Sequence, residues 1–210
     1  MPDAPMKHDA VTPADRLAAR YGVVQPPAGP WSAAIDVMVS HATVRAYRDA
    51  PLPPGTLEVL FAAAQSAATS SNLQAWSVVA VEDPDRRARL AMLAGGQAQI
   101  RQAPLFLAFL ADLSRAGRVA GAIGATLGGL PFLETFLVAA IDAALAAQNA
   151  AVAAESLGLG ICYIGALRNR PEDVAAELGL APGVFAVFGM CVGHPDPAEP
   201  ASVKPRLPQG

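Results

Sequence analysis

The chain has 210 residues, of which 53% are apolar and only 16% charged, with a formal net charge of −3. That length suits one sizeable domain with a full hydrophobic core. The weakly acidic balance and the lack of any basic run exclude nucleic acid and anionic membranes as partners, while the apolar surplus points to a large surface buried against another subunit.

Residues 1–30 are rich in Pro and Ala and read as an extended N-terminal arm, without the charged-then-apolar pattern of a signal peptide. Inside the arm, Thr12-Pro13-Ala14-Asp15 supplies an N-cap, a proline at the first helical position and an acidic third residue, so a short helix starts there. Residues 31–210 form the main domain. Residues 31–40 read as a helix leading into His41-Ala42-Thr43-Val44-Arg45, 51–55 as a turn, and Thr56 as the cap of an alanine-rich helix. A polar corner, Thr69-Ser70-Ser71-Asn72-Leu73-Gln74, separates that helix from a strand over 76–81.

Residues 84–93 predict a surface helix broken by Gly95-Gly96-Gln97, with a short helical turn after it and a fully apolar strand over 105–110. The Gly-rich stretch 114–131 has no clear period and reads as a candidate lid. Residues 132–157 predict a long alanine-rich helix, apolar on nearly all sides and therefore central, ended by Gly158 and Gly160. Its Glu134, Asp142 and Glu155 are expected to interrupt any membrane-length apolar span. A strand over 161–164, a helix over 171–178 and a strand over 184–192 complete an α+β pattern, a small sheet surrounded by helices.

Cys162 and Cys191 lie in apolar strand-like runs and read as reduced core residues of a cytoplasmic protein. His8, His41 and His194 lack ligand spacing to either, which argues against a structural zinc. No G-x-G-x-x-G follows a strand, and no G-x-x-x-x-G-K or G-x-S-x-G occurs, so any chemistry falls to a bound cofactor.

The remaining polar candidates each admit two readings. His41, Thr43 and Arg45 form either an anion cradle or an ordinary solvated turn, and Lys204-Pro205-Arg206 poses the same choice. Gln74 and Gln97 each offer an amide that both donates and accepts. Tyr163-Ile164-Gly165-Ala166-Leu167 is either a tight strand-to-helix turn or a bare backbone against a flat ring.

Taken in order, these segments resemble the FMN-dependent nitroreductase superfamily, specifically its NADPH-dependent flavin and nitro reductase branch. The resemblance runs from about Ser40 to the last residues and includes Ala147-Gln148-Asn149, the run 155–160, and Leu207-Pro208 after the Lys-Pro-Arg motif. It implies a mostly antiparallel small sheet, an intertwined homodimer, and FMN bound at the interface between two copies. His41, Ala42, Thr43, Val44, Arg45, Lys204 and Arg206 would contact phosphate and ribityl chain. Thr69, Ser70, Ser71 and Gln74 would bond the flavin, with Gln97 at the ring edge, and Tyr163, Ile164, Gly165, Ala166 and Leu167 would lie against one ring face. The implied reaction is ping-pong hydride transfer from NADPH or NADH through flavin N5 to nitroaromatic, quinone or flavin acceptors, without a protein acid or base. FMN binding without turnover, as in a sensor, and a narrow biosynthetic flavin oxidation are the alternatives. The chain departs from the branch at Ala42, usually Arg, and at Ala166, usually Gly. The branch's C-terminal arm, which wraps the partner and carries basic residues for the NADPH 2′-phosphate, is expected to be missing or truncated here.

Overall fold

The structure, a computed structural model, describes residues 11–22 and 29–207. The rest of the expected arm, with His8, and Pro208 of the C-terminal motif lie outside the described residues. Contacts divide the chain into two compact units, Met1–Ala42 with Ser202–Gly210, and Thr43–Ala201.

In the first unit, α1 (Pro13–Tyr21) and α2 (Ala33–Ser40) both begin at side-chain caps. Thr12 Oγ1 accepts from the Asp15 N–H, the Asp15 carboxylate accepts from the Thr12 N–H, and Gly22 ends α1 at φ 74°. Helix α2 starts two residues later than its sequence suggests, because the Ser32 hydroxyl accepts from the Ile35 N–H. Arg16 joins the two helices through a fork onto Asp36 at 3.2 and 3.3 Å.

The second unit is built on one antiparallel sheet in the order β1-β2-β4-β3, with β1 Trp76–Val81, β2 Leu105–Asp112, β3 Gly160–Ile164 and β4 Val184–Gly193. Strand β2 is buried on both faces. Its Leu105, Leu107 and Phe109 join a core with α3 (Thr56–Gln65) and α7 (Leu133–Ser156). Its Phe106, Ala108 and Leu110 join a second core with α4 (Pro84–Leu93), α5 (Ala98–Gln102) and α8 (Pro171–Leu178). The period of two along one strand thus produces three layers.

Helix α7 corrects two expectations. Its alanines at 139, 143, 146, 147, 150, 151 and 154 are buried, and their small side chains let it lie close on the sheet. The opposite face is exposed, however. Leu133, Leu137, Ile141 and Leu145, four residues apart, are 69, 44, 57 and 42% accessible. The helix is apolar all round without being central all round. Its charges also do not interrupt a membrane-length span, since a window of mean hydropathy 1.6 within its 24 residues is long and apolar enough to cross one. Its alanine face packed on the sheet and its fully buried Asp142 are those of a core helix.

Two smaller corrections concern helix ends. Thr56 is the first residue of α3 and not its cap; Gly55 takes the cap position at φ 83°, and the Thr56 hydroxyl donates to Pro53 O. Gly160 belongs to β3, where a Cβ would sit 2.5 Å from Val44 Cγ2, while Gly158 alone provides the left-handed turn after α7.

Candidate functional site

The polar corner folds into a short 3-10 turn, Ser70–Asn72, and Ser71, Asn72 and the following Gln74 adopt left-handed backbone angles, with φ of 50, 55 and 50°. Three non-glycine residues in that region within four positions store strain that the surroundings must hold. The fully buried Asp142 carboxylate of α7 accepts from the Ser70 and Ala75 N–H groups, both at 3.0 Å, and so clamps the corner at its two ends. Arg115 grips its exit, donating to the carbonyls of Gln74 at 3.0 Å and Trp76 at 3.1 Å. Ser70, Ser71 and Gln74 are exposed, and the hydroxyls of Thr69, Ser70 and Ser71 make no hydrogen bond to any described residue. The Gln74 amide donates to Asn72 at 3.2 Å.

The segment 114–131 supplies α6 (Ser114–Ala122) and a turn before α7. It faces the corner across a cleft of about 400 Å³, with Leu73 and Gln74 on one wall and Val119, Ile123 and Leu127 on the other. Asp112 anchors the hinge of this segment by accepting from Ser77 Oγ, Ser114 Oγ and the Ser114 N–H. Burial alone would push the Asp112 carboxyl up, but these bonds outweigh it and hold the group below the ordinary carboxylate range.

Thr43, Val44 and Arg45 lie beside β3. Thr43 forms a parallel bridge with Ile161, the Val44 N–H donates to Ile161 O at 2.9 Å, and the buried Tyr47 hydroxyl donates to Val44 O at 2.8 Å. The Val44 side chain is core, and Arg45 is exposed above it. Ile164 and Leu167 are likewise buried as whole residues, at 1% and 0% exposure, and belong to the core. Gly165 opens a 3-10 turn, and a Cβ there would meet the Arg168 guanidinium at 3.2 Å. Ala166 is half-buried, and Tyr163 packs edge-on to Phe188 with its hydroxyl donating to Gln148 at 3.4 Å. Gln97 stands apart on the turn between α4 and α5. Its amide donates to Ala94 O at 3.2 Å and accepts from Gln99 at 2.6 Å, and no hydrogen bond joins it to the Thr69–Gln74 stretch.

In the first unit, His41 and Ala42 follow α2, and Lys204 and Arg206 are both exposed. Arg20 of α1, buried to 4%, binds the carbonyls of Val39, His41 and Lys204, while the Arg206 N–H donates to Arg20 O at 2.8 Å. Sequence reading missed Arg20, Asp142 and Arg115. For Asp142 a signal existed, because a carboxylate in the middle of an alanine helix is expensive to bury without donors.

Cys162 and Cys191 are free, buried and directly opposite one another in the β3–β4 register. Burial raises both thiols, and it raises the Tyr47 and Tyr163 hydroxyls as well. A folded acid whose pKa is raised stabilises the fold fully below its unfolded pKa and loses that contribution as pH climbs above it. Stability is therefore expected to fall as pH rises past about 8.5, where unfolded thiols ionise, and further past about 10 for the tyrosines. Urea midpoints measured across that range check this, and a flat profile would contradict it. Both thiols should react with Ellman's reagent only in denaturant.

Residues 38–194 match the sequence pattern of the Nitroreductase family. The FMN reductase (NADPH) of Bacillus subtilis strain 168 is 42% identical over 176 residues, covering 83% of this chain and 70% of that one. The oxygen-insensitive NADPH nitroreductase of Salmonella typhimurium is 39% identical over 177 residues, covering 84% and 71%. The solved NADPH:FMN oxidoreductase from Vibrio harveyi complexed with NAD⁺ superposes with a TM-score of 0.76 at 38% identity, covering 83% of this chain and 73% of that one.

Proposed function

This chain belongs to the nitroreductase family, and from that premise we propose that it is an FMN-containing oxidoreductase that takes hydride from NADPH or NADH and reduces nitroaromatic, quinone or flavin acceptors. The observation that carries the reading is the corner of residues 69–74. It holds strained backbone in place with a buried carboxylate, exposes Ser70, Ser71 and Gln74, and carries three hydroxyls, of Thr69, Ser70 and Ser71, that bond no described residue. Such a donor and acceptor set suits the carbonyl and nitrogen edge of a flavin.

Bound FMN would supply hydride chemistry at its N5, which no side chain of this protein provides. The chain's own work is binding and orientation. In the first unit, His41, Ala42, Lys204 and Arg206 are assigned to the phosphate, whose charge suits the exposed basic pair. In the second unit, Thr43, the Val44 backbone and Arg45 are assigned to phosphate and ribityl chain, and Thr69, Ser70, Ser71 and Gln74 to the flavin. Tyr163, Gly165 and Ala166 are assigned to one ring face, with the buried Ile164 and Leu167 supporting them from the core. Gln97, assigned to a ring edge, keeps one N–H and one lone pair beyond its bonds to Ala94 and Gln99. The apolar cleft beneath α6 suits the flat body of an acceptor.

The reading includes a homodimer, supported by the exposed Leu133, Leu137, Ile141 and Leu145 stripe, a contiguous apolar surface of the kind that partners cover. It also includes a reducing cytoplasmic setting, supported by the two free thiols. The purified protein is expected to be yellow, or to turn yellow with added FMN, and to bleach when NADPH is added without oxygen. A colourless protein that takes up no FMN would overturn the reading.

A further inference from the structure

Arg20 lies outside the stretch that matches the family pattern, which begins at residue 38, and so do Lys204 and Arg206 beyond its end at 194. The structure nevertheless joins them, since the Arg20 guanidinium binds Lys204 O and the Arg20 carbonyl accepts from the Arg206 N–H. Arg20 Nε and Nη2 donate to Val39 O at 3.1 and 2.9 Å, Nη2 also to His41 O, and Nη1 to Lys204 O at 2.8 Å. The return bond from the Arg206 N–H to Arg20 O, at 2.8 Å, closes the loop around residues 204–206. Helix α1, which carries Arg20, is itself fixed by its Thr12–Asp15 capping box and by the Arg16–Asp36 fork.

We propose that Arg20 is the positioning residue of the phosphate cradle, holding the His41 turn and the Lys204–Arg206 segment in one register so that their basic side chains meet a single anion. The inference rests on the phosphate reading of His41, Lys204 and Arg206 given above. Its physical basis is directional. A guanidinium is a rigid planar fork of donors, and one that is 4% exposed, with carbonyls of three residues on it, fixes those carbonyls relative to each other. The carbonyls of His41 and Lys204 sit on one guanidinium, so the spacing of the two segments is set by Arg20 and not by either segment alone. A lysine has the charge but presents its donors from one atom on a flexible stem, without the rigid fork that fixes the carbonyls relative to each other.

The test uses the full chain freed of flavin and titrated with FMN and with riboflavin, which lacks the phosphate. The wild type is expected to bind FMN more tightly than riboflavin, and Lys204→Ala to narrow that gap. Arg20→Met is expected to weaken FMN by about tenfold or more, the scale of one lost charge-assisted hydrogen bond. Riboflavin should change by less than about twofold, since a ring contact is not involved. Arg20→Lys keeps the charge and should still lose most of the FMN preference. It also serves as the probe should Arg20→Met fail to fold. An Arg20→Lys chain that keeps the wild-type preference would show that charge, not positioning, is what matters, and overturns the proposal. Equal weakening of FMN and riboflavin overturns it too. A wild type that does not prefer FMN overturns the phosphate reading itself, an outcome distinct from unchanged Arg20 variants in a wild type that does.

Discussion

Asp142→Ala is expected to lower the stability of the fold by about 2 kcal/mol, through two part-buried backbone donors left without an acceptor at about 1 kcal/mol each, the low end for a lost partner. For a chain of this size that corresponds to a fall in melting temperature of about 4–8 °C. Asp142 is 0% exposed and its two oxygens are used separately, one by Ser70 N–H and one by Ala75 N–H. Alanine removes both acceptors, and the left-handed Ser71, Asn72 and Gln74 are then free to relax toward ordinary angles. Asp142→Asn keeps one acceptor oxygen but points an amide donor at the other N–H, so it should recover only part of the loss. The consequence for binding differs from that at Arg20. The corner is assigned to the flavin ring, so Asp142→Ala should weaken FMN and riboflavin alike. A loss below about 1 kcal/mol in urea unfolding would show that the corner does not depend on this clamp.

Gly189→Ala is expected to destabilise by about 3 kcal/mol, the upper end of ordinary overpacking. A Cβ at Gly189 would lie 2.1 Å from Phe106 Cζ and 2.6 Å from Cε2, inside a ring that is 0% exposed. Phe106 pairs with Cys191 in the register, two residues along β4, so its ring lies diagonally across the strand and occupies the space a side chain would take. Neither partner can move away, because Gly189 lies between β2 and β3 and the ring is packed into the core with α4 and α5. Shortening the ring should relieve the clash. In a double-mutant cycle with Phe106→Leu, the two changes are expected to be less harmful together than their sum, by about 1 kcal/mol or more. Strict additivity would show that the ring is not what Gly189 accommodates.

The fold was largely legible in the sequence where its signals are local. Helices α4 and α8 and strand β1 carry their residue periods, prolines and polar flanks within a few positions, and their bounds match the reading taken from them. Apart from one- or two-residue shifts at the starts of α2 and α3, the errors fell where a neighbour distant in sequence decides the outcome. Gly160 reads as a helix terminator, yet it is a strand residue whose missing side chain gives Val44 its place. Helix α7 reads as central on all sides, yet only its alanine face meets the sheet.

The candidate site divides in the same way. The residue types that suit a phosphate and a flat ring, and their order along the chain, were determined by the sequence, because the hydroxyl, amide and guanidinium chemistry belongs to the residues themselves. What holds them was decided only by tertiary structure. Arg20 meets a carbonyl 184 residues away, and Asp142 meets an N–H 72 residues away. Their partners are backbone groups, which every residue carries alike and no sequence pattern distinguishes. Folding chooses among those groups, and that choice fixes the polar corner in one unit and the two basic segments in the other.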